Sequence, residues 1–262
     1  MRTSKQPKTV LIGAGKIATH LGHRLLASGI PVVQVVSRSG ASAQKLADSL
    51  GCDWTTDTEQ ALPAADWYII AVKDDAIPAV AAALSSRIGS GLVVHTSGAT
   101  PGTVLRPFFQ HSGVFYPLQT FSLEKKPLWS KIPLCVDAVA DEDLHFLEKM
   151  AHKIGAKPQH ITDTQRAQLH VAAVFANNFS NHCLAVAEQL LLSQGLPFAL
   201  LHPLVEATLS KALSGSPALA QTGPALRGDM ATMEQHQHLL EGHEQWQAIY
   251  RTLSDSIQNT AF

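Results

Sequence analysis

The sequence predicts an α/β protein with a mostly parallel sheet, followed by a separate all-α domain. Up to about residue 161, short β-branched runs alternate with stretches of helical periodicity, as in strands joined by crossover helices. After Thr162 the strand signals end and only helical patterns follow. We therefore expect one domain at residues 1–161 and a second, helical domain at residues 162–262.

The predicted elements follow from these runs in chain order. Strong strands are expected at 10–12, 32–36, 67–72 and 92–95, and weaker ones at 114–116, 134–136 and 159–161. Helices are expected between them at 17–26, 41–50, 76–84 and 141–154, the last behind an acidic cap. In the second domain we expect one long helix at 165–194, another at 197–213, and one or two between 229 and 257.

The composition excludes several classes of protein. A net charge of −1 gives no general attraction to nucleic acid or to an acidic membrane. No apolar run approaches the ~20 residues of a membrane helix. Three separated cysteines favour reduced thiols, and the polar segment Met1–Lys8 lacks the apolar centre of a secretory signal. We therefore expect a soluble, cytoplasmic protein.

A glycine-rich turn follows the first predicted strand. Residues Gly13, Ala14, Gly15, Lys16, Ile17 and Ala18 fit the pattern G-x-G-x-x-G/A, between a strand and a helix. The first glycine permits the tight turn, the second lets the backbone approach a pyrophosphate, and the small sixth residue lets helix and strand pack closely. The pattern predicts a Rossmann-like dinucleotide site, and the alternative is a purely structural turn.

The end of the second predicted strand bears on which dinucleotide binds. An NAD site usually has Asp or Glu there, to hold the ribose 2′-hydroxyl. This chain has Ser37, Arg38 and Ser39, which suit a 2′-phosphate instead. We therefore predict NADP(H) as the cofactor, unless Arg38 is only a solvated loop charge.

Three further loops follow predicted strands, where ligands of such sheets bind. Val72 and Lys73 end the third strand, and Thr96 and Ser97 follow the fourth. We expect all four residues to bind the cofactor, with Lys73, Thr96 and Ser97 bordering the nicotinamide ribose. The next loop, at 116–120, offers Tyr116 and Gln119 toward a substrate.

The motifs as a set resemble a family of NADP oxidoreductases over nearly the whole chain. They are AVKDDAI at 71–77, HTSGA at 95–99, GVFYPLQTF at 113–121, LHVAAVFANNFSNH at 169–182 and TGPALRGD at 222–229, besides the glycine turn. The family is distantly similar to pyrroline-5-carboxylate reductases and to the 6-phosphogluconate dehydrogenase-like group. The resemblance implies a Rossmann-like half and a helical domain that forms a homodimer and closes over the nicotinamide.

Candidate catalytic residues lie on the first helix of the second domain. In an α-helix His170, Val174, Asn177 and Asn181 share one face, which Asn178 borders. His170, Asn177, Asn178 and Tyr116 are the candidates for catalysis, with His170, Tyr116 or His95 as proton donor. The alternative is a polar contact between helices.

The segment at 222–229 offers a further substrate ligand. Arg227 is a candidate for a substrate carboxylate, against the alternative of a surface charge, and Asp229 is expected to cap the following helix. The histidines at 236, 238 and 243 lack zinc-site spacing, so we predict no metal.

These observations favour an NADP-dependent oxidoreductase acting on a small carbonyl or imine compound. Hydroxyacid dehydrogenases of the wider group use a Lys and an Asn four residues apart on the first long helix of the second domain. The helix predicted at 165–194 has no Lys, and the equivalent positions are Asn177 and Asn181. A non-catalytic NADP(H) sensor or scaffold therefore stays an alternative, as does reduction of a flavin or deazaflavin.

Overall fold

The computed structural model describes residues 6–259, which divide between Ala173 and Val174 into two compact units. Residues 1–5 of the polar segment Met1–Lys8 lie outside the described residues. The division falls later than the boundary expected near Thr162, because the helix that follows Thr162 is bonded to the first unit. No helix within residues 6–259 has the length and apolarity needed to span a membrane.

One eight-stranded sheet forms the centre of the first unit. Its strands are β1 (Thr9–Ile12), β2 (Val32–Val36), β3 (Asp53–Thr55), β4 (Trp67–Ile70), β5 (Leu92–His95), β6 (Ser112–Pro117), β7 (Pro133–Ala138) and β8 (Lys157–His160). They lie in the order β3-β2-β1-β4-β5-β6-β7-β8, and every neighbouring pair is parallel except β6 and β7. The predicted mostly parallel sheet is confirmed.

The edge strand β3 has no counterpart among the predicted strands. It has three residues, of which Asp53 and Trp54 are exposed, so it lacks the apolar run that marks the other strands. It forms because its backbone pairs with β2, from Gln34 opposite Asp53 onward. This is a contact that sequence periodicity does not report.

Helices cover both faces of the sheet. In the first unit they are α1 (Lys16–Ala27), α2 (Gly40–Leu50), α3 (Ile77–Ser85), α4 (Asp141–Lys153) and α5 (Asp163–Ala173). Successive residues of β1 point to opposite faces: Leu11 joins the core beneath α1, α2 and α4, whereas Val10 and Ile12 join the core beneath α3. A sheet buried on both faces explains why its central strands are continuously apolar.

The helix ends agree in part with their sequence signals. Gly51 ends α2 in the left-handed conformation, with φ of 66°. Thr162 and Gln165 cap α5 reciprocally, the backbone N–H of each donating to the side chain of the other. The acidic cap expected for α4 is wrong, since Ala140 occupies that position without a side-chain bond and Asp141 lies in the first turn.

The second unit is helical. It contains a π-helix (Val174–Phe179) and the α-helices α6 (Ser180–Leu192), α7 (His202–Ser214), α8 (Pro224–Arg227), α9 (Met230–Leu239) and α10 (Glu244–Asn259). Asp229 caps α9 as predicted, since its side chain accepts a hydrogen bond from the backbone N–H of Thr232.

The π-helix corrects the prediction of one unbroken α-helix at 165–194. Ser180 Oγ donates to the carbonyl oxygen of Phe175, five residues earlier, at 3.1 Å. Asn177 and Asn178 lie inside this wider turn, where spacings of three and four residues no longer mark one face. The predicted α-helical stripe through His170, Asn177 and Asn181 therefore does not form as such.

Candidate functional site

A cavity of about 690 Å³ opens at the carboxyl ends of the first strands of the sheet. Its lining residues come from the glycine turn, the ends of β2, β3 and β4, the helix α3 and the loop after β6. They are Ile12, Gly13, Ala14, Gly15, Lys16, Ile17, Val36, Ser37, Arg38, Thr56, Thr58, Ala71, Val72, Lys73, Ala76, Ala79, Val80, Ala83, Gln119 and Phe121. Most residues predicted to bind the cofactor thus line one cavity.

Close backbone packing shapes the turn at Gly13. Its φ is +111°, and a Cβ there would lie 2.3 Å from the carbonyl oxygen of Ala71. The N–H of Gly13 donates to the carbonyl oxygen of Val36 at 2.7 Å, so the turn is fixed between β2 and β4. Only glycine suits this position.

The start of α1 is open on its cavity side. A Cβ at Gly15 would meet no atom within 4 Å, and no side chain caps the helix or places an acidic group in its first turn. Uncapped N–H groups at the start of a helix bind phosphate oxygens. Ala18 is fully buried in the core and does not line the cavity, consistent with the small residue needed for packing.

At the end of β2, two of the three predicted residues face the cavity. Ser37 and Arg38 line it, and no ion pair within residues 6–259 engages the exposed Arg38. Ser39 does not line it, because its side chain caps α2 by accepting a hydrogen bond from the backbone N–H of Ser42. A capping role is typical of serine at this position.

Several lining residues were missed from the sequence. Ala76, Ala79, Val80 and Ala83 present one face of α3 and the turn before it to the cavity. Their spacing of three, one and three residues is a helical signal that the sequence offered. Thr56 and Thr58 follow the missed strand β3, so they could not have been placed without it.

The loop after β5 is buried and does not line the cavity. Thr96 and Ser97 are 4% and 5% exposed. The Oγ of Ser97 accepts hydrogen bonds from the backbone N–H groups of Ala99 and Thr100, at 3.2 and 2.9 Å, so it organises the loop. The proposed contact of Thr96 and Ser97 with a ribose stays a prediction.

His95 ends β5 as a fully buried, neutral side chain. Its Nδ1 accepts a hydrogen bond from the backbone N–H of Ser97 at 3.2 Å. Burial lowers the pKa of His95 to about 4, assisted by the positive charge of Arg166 and opposed by the Pro101 carbonyl and the Asp163 carboxylate. A neutral imidazole follows at physiological pH.

Tyr116 and His170 lie together beside this loop. Their ring centroids are 6.4 Å apart with an edge-to-face tilt. Gly98 packs between them: a Cβ there would lie 2.6 Å from His170 Nδ1 and 2.7 Å from Tyr116 Cζ. Burial raises the pKa of the Tyr116 phenol, so that it holds its proton at neutral pH. The structure thus brings together two of the three side chains that the sequence suggested as proton donors.

The remaining candidates lie elsewhere. Asn177 and Asn178 are exposed in the π-helix of the second unit, with Asn177 Nδ2 3.5 Å from Asn178 Oδ1. Arg227 is exposed in α8, also in the second unit. Gln119 lines the cavity at the strand ends rather than a separate substrate pocket. Contacts of His170 with either asparagine or with Arg227 stay predictions.

One group of side chains within residues 6–259 has metal-ligand atoms within 4.8 Å of one another: His111, Glu142 and Asp143. A hydrogen bond of 2.8 Å between His111 Nδ1 and Asp143 Oδ2 joins the start of β6 to α4. This hydrogen bond explains why the three side chains lie close together, and its role is structural.

Comparison with known proteins agrees with this geometry. A family described as NADP oxidoreductase coenzyme F420-dependent matches residues 8–97, and a domain of unknown function, DUF2520, matches residues 132–257. A crystal structure from Bacteroides fragilis, named "putative NADP oxidoreductase", is 37% identical and covers 97% of this chain and 99% of its own, with a TM-score of 0.91.

More distant structures share the fold. A Thermotoga maritima protein is 22% identical over 95% of this chain and 96% of its own, with a TM-score of 0.69. An imine reductase from Streptomyces aurantiacus is 19% identical over 95% of this chain and 93% of its own, with a TM-score of 0.70. Among curated proteins no significant match is found.

Proposed function

Since this chain belongs to the family of NADP oxidoreductases that includes the Bacteroides fragilis protein, we propose that it transfers hydride between NADP(H) and a small carbonyl or imine compound. The observation that carries the proposal is the cavity at the strand ends, which joins the glycine turn, the open start of α1 and Arg38. The fold shared with imine reductases supports the substrate class.

The residues around the cavity fit the parts of NADP. Gly13 and Gly15 leave room for a pyrophosphate, and the start of α1 supplies N–H donors. Arg38 and Ser37 suit the 2′-phosphate, because a guanidinium binds phosphate in bidentate fashion. When bound, the nicotinamide supplies or accepts the hydride.

Proton transfer falls to His170 and Tyr116 in this proposal. The phenol of Tyr116 holds its proton on Oη, and the ring of the partly exposed His170 lies beside it, with 6.4 Å between the ring centroids. Asn177, Asn178 and Arg227 are proposed to orient the substrate from the second unit.

We also propose a cytoplasmic homodimer that forms through the helical unit. Large apolar side chains of that unit are exposed in the single chain, with Leu213 86%, Leu204 64% and Phe175 63% accessible. Neither α6 nor α7 contains a buried residue. So much exposed apolar surface is typical of a subunit interface. The absence of disulfides among the three cysteines suits a reducing compartment.

Titration with NADPH and NADH, followed by the fluorescence of the reduced nicotinamide, tests the cofactor. We expect NADPH to bind more tightly, and Arg38→Ala to weaken NADPH about tenfold or more while leaving NADH unchanged, because charge-assisted bonds to a phosphate contribute about 1.5–3 kcal/mol. Arg87→Ala, an exposed arginine beyond the far end of α3, is the matched control. Absence of binding below millimolar NADPH would contradict the proposal.

A second candidate is hydride transfer between NADP(H) and a deazaflavin, favoured by the family description that matches residues 8–97. A coloured, co-purifying cofactor or NADPH-dependent bleaching of coenzyme F420 would support it. NADPH binding without turnover of carbonyl, imine or deazaflavin compounds would instead indicate a non-catalytic sensor.

A further inference from the structure

An ion pair in the first turn of α5, between the buried Arg166 and the partly exposed Asp163, holds the loop that follows β5. Arg166 Nη2 donates to the carbonyl oxygen of Thr100 and to Asp163 Oδ1, both at 2.7 Å. The carboxylate oxygens of Asp163 accept hydrogen bonds from the backbone N–H groups of Gly102 and Thr103, at 2.9 and 3.3 Å. Side chains of α5 therefore hold the loop by hydrogen bonds to the backbone of Thr100, Gly102 and Thr103.

We propose that Arg166 and Asp163 are positioning residues, which set the placement of His170 against Tyr116 through the loop at 96–103. This role rests on the proposed function of those two side chains in proton transfer. Neither Arg166 nor Asp163 touches the cofactor cavity. Their effect is transmitted by the backbone that they hold.

The loop connects the ion pair to the two proton donors. Ser97 Oγ accepts from the N–H groups of Ala99 and Thr100, so that residues 97–100 form one tight turn. The same turn carries Gly98, where an added Cβ would lie 2.6 Å from His170 Nδ1 and 2.7 Å from Tyr116 Cζ, so both rings pack closely against this residue. A displacement of Thr100 therefore moves the surface on which both rings rest.

His170 is also linked to the ion pair along α5. It lies four residues after Arg166, one helical turn further on, so both side chains project from the same face of α5 toward the loop. The helix α5 fixes the position of His170, and the ion pair fixes the position of Gly98 through the bond of Arg166 to Thr100. The contact is thus determined by two rigid elements.

Stability alone does not account for Arg166. Its side chain is 1% exposed, and its Nε and Nη1 have no hydrogen-bond partner among the described residues. Buried N–H groups without acceptors are destabilising, and an apolar replacement of a buried ion pair is often neutral or stabilising. What an apolar side chain cannot supply is the directed bond to the carbonyl oxygen of Thr100.

The test compares Arg166→Met, which retains much of the packing volume, with Arg166→Lys, which retains the charge. The control is Asp143→Asn, which removes the charge of a buried carboxylate that pairs with the partly exposed His111 at the opposite end of β6. Long-range 1H–15N spectra of the full-length, labelled protein report the imidazole of His170, assigned through His170→Gln. The second readout is NADPH-dependent reduction of a cyclic imine, 1-pyrroline, separated into kcat and KM.

We expect Arg166→Met to shift the His170 resonances and lower kcat about tenfold or more, with the KM for NADPH changed less than about threefold. Arg166→Lys should restore part of both, and Asp143→Asn should change neither. Gly98→Ala provides an independent route if Arg166→Met does not fold, because its Cβ would displace His170 directly.

Unchanged His170 resonances in folded Arg166→Met, or in Gly98→Ala if Arg166→Met does not fold, would overturn the positioning role, as would an equal change in Asp143→Asn. Failure of the wild type to bind NADPH or to reduce 1-pyrroline would contradict the proposed function instead. The His170 spectra need neither compound, so they decide the positioning role separately.

Discussion

Replacing His95 by Asn should make the stability of the protein less sensitive to acid. The ring is fully buried at the end of β5, and its pKa is lowered from 6.5 to about 4, chiefly by burial and secondly by Arg166. Asn is the matched substitution because its Oδ1 can accept the hydrogen bond that the Ser97 N–H now donates to Nδ1.

The magnitude follows from the two pKa values. Above pH 6.5 the ring is neutral in the folded and unfolded states, so it adds nothing to the pH dependence. As the pH falls from 6.5 toward 4, the unfolded chain binds a proton that the folded chain refuses, and the free energy of unfolding decreases. At pH 4.5 the resulting loss in free energy of unfolding is about 2.5 kcal/mol, because each unit of difference between the two pKa values corresponds to about 1.36 kcal/mol.

Urea unfolding followed by circular dichroism at pH 7.5 and pH 4.5 measures the effect. Between pH 7.5 and pH 4.5 both proteins should lose free energy of unfolding. The loss should be about 2.5 kcal/mol smaller in His95→Asn than in the wild type. His238→Asn is the control, since that histidine is exposed and Glu241 raises its pKa rather than lowering it. Equal losses in the wild type and in His95→Asn would refute the reasoning. The depressed pKa of Asp163 acts below its usual 3.8, outside this range.

Three further predictions concern the cofactor turn, the core and the thiols. Gly13→Ala should abolish NADPH binding measured by fluorescence, because its Cβ would collide with a backbone oxygen 2.3 Å away at φ of +111°. Thr9→Val should lower the free energy of unfolding by about 1–3 kcal/mol in urea, because the buried Trp67 Nε1–H loses the acceptor that it now reaches at 2.7 Å. Iodoacetamide at pH 8 should leave Cys52 and Cys135 unmodified in the native protein, as peptide mass spectrometry would report, because burial raises the pKa of both thiols to about 11.

Each of these has its own control. Gly51→Ala alters another glycine of positive φ, at the end of α2, and should leave NADPH affinity unchanged. Thr9→Ser keeps the hydroxyl and should retain most of the stability, so equal losses in Val and Ser variants would exclude the hydrogen bond as the cause. Urea should expose both thiols, and rapid labelling of Cys135 without urea would contradict its burial.

The sequence by itself determined the position of the glycine turn and the strands and helices of the first unit, apart from the short edge strand β3. Strands buried on both faces need continuous apolar residues, and Gly13 needs a positive φ, so both leave local marks in the chain. The cap at Asp229 was readable for the same reason, because its bond reaches only three residues ahead.

The site was predictable only where local signals define it. Ser39 has the residue type of a phosphate ligand but caps α2, and both roles suit serine at that position. Asn177 and Asn178 match an α-helical face, but a π-helix forms there, and the side chain of Ser180 bonds to the carbonyl oxygen of Phe175, five residues earlier.

Only the tertiary structure decided the environment of Arg166 and His95. The partner of Arg166 at Thr100 lies 66 residues away along the chain, and Gly98 meets His170 across a similar separation. Periodicity and turn chemistry report interactions within a few residues, whereas burial of a charge depends on which distant backbone packs against it. The glycine turn could therefore be predicted from the sequence. The hydrogen bonds by which Arg166 and Asp163 of α5 hold the loop after β5 could not.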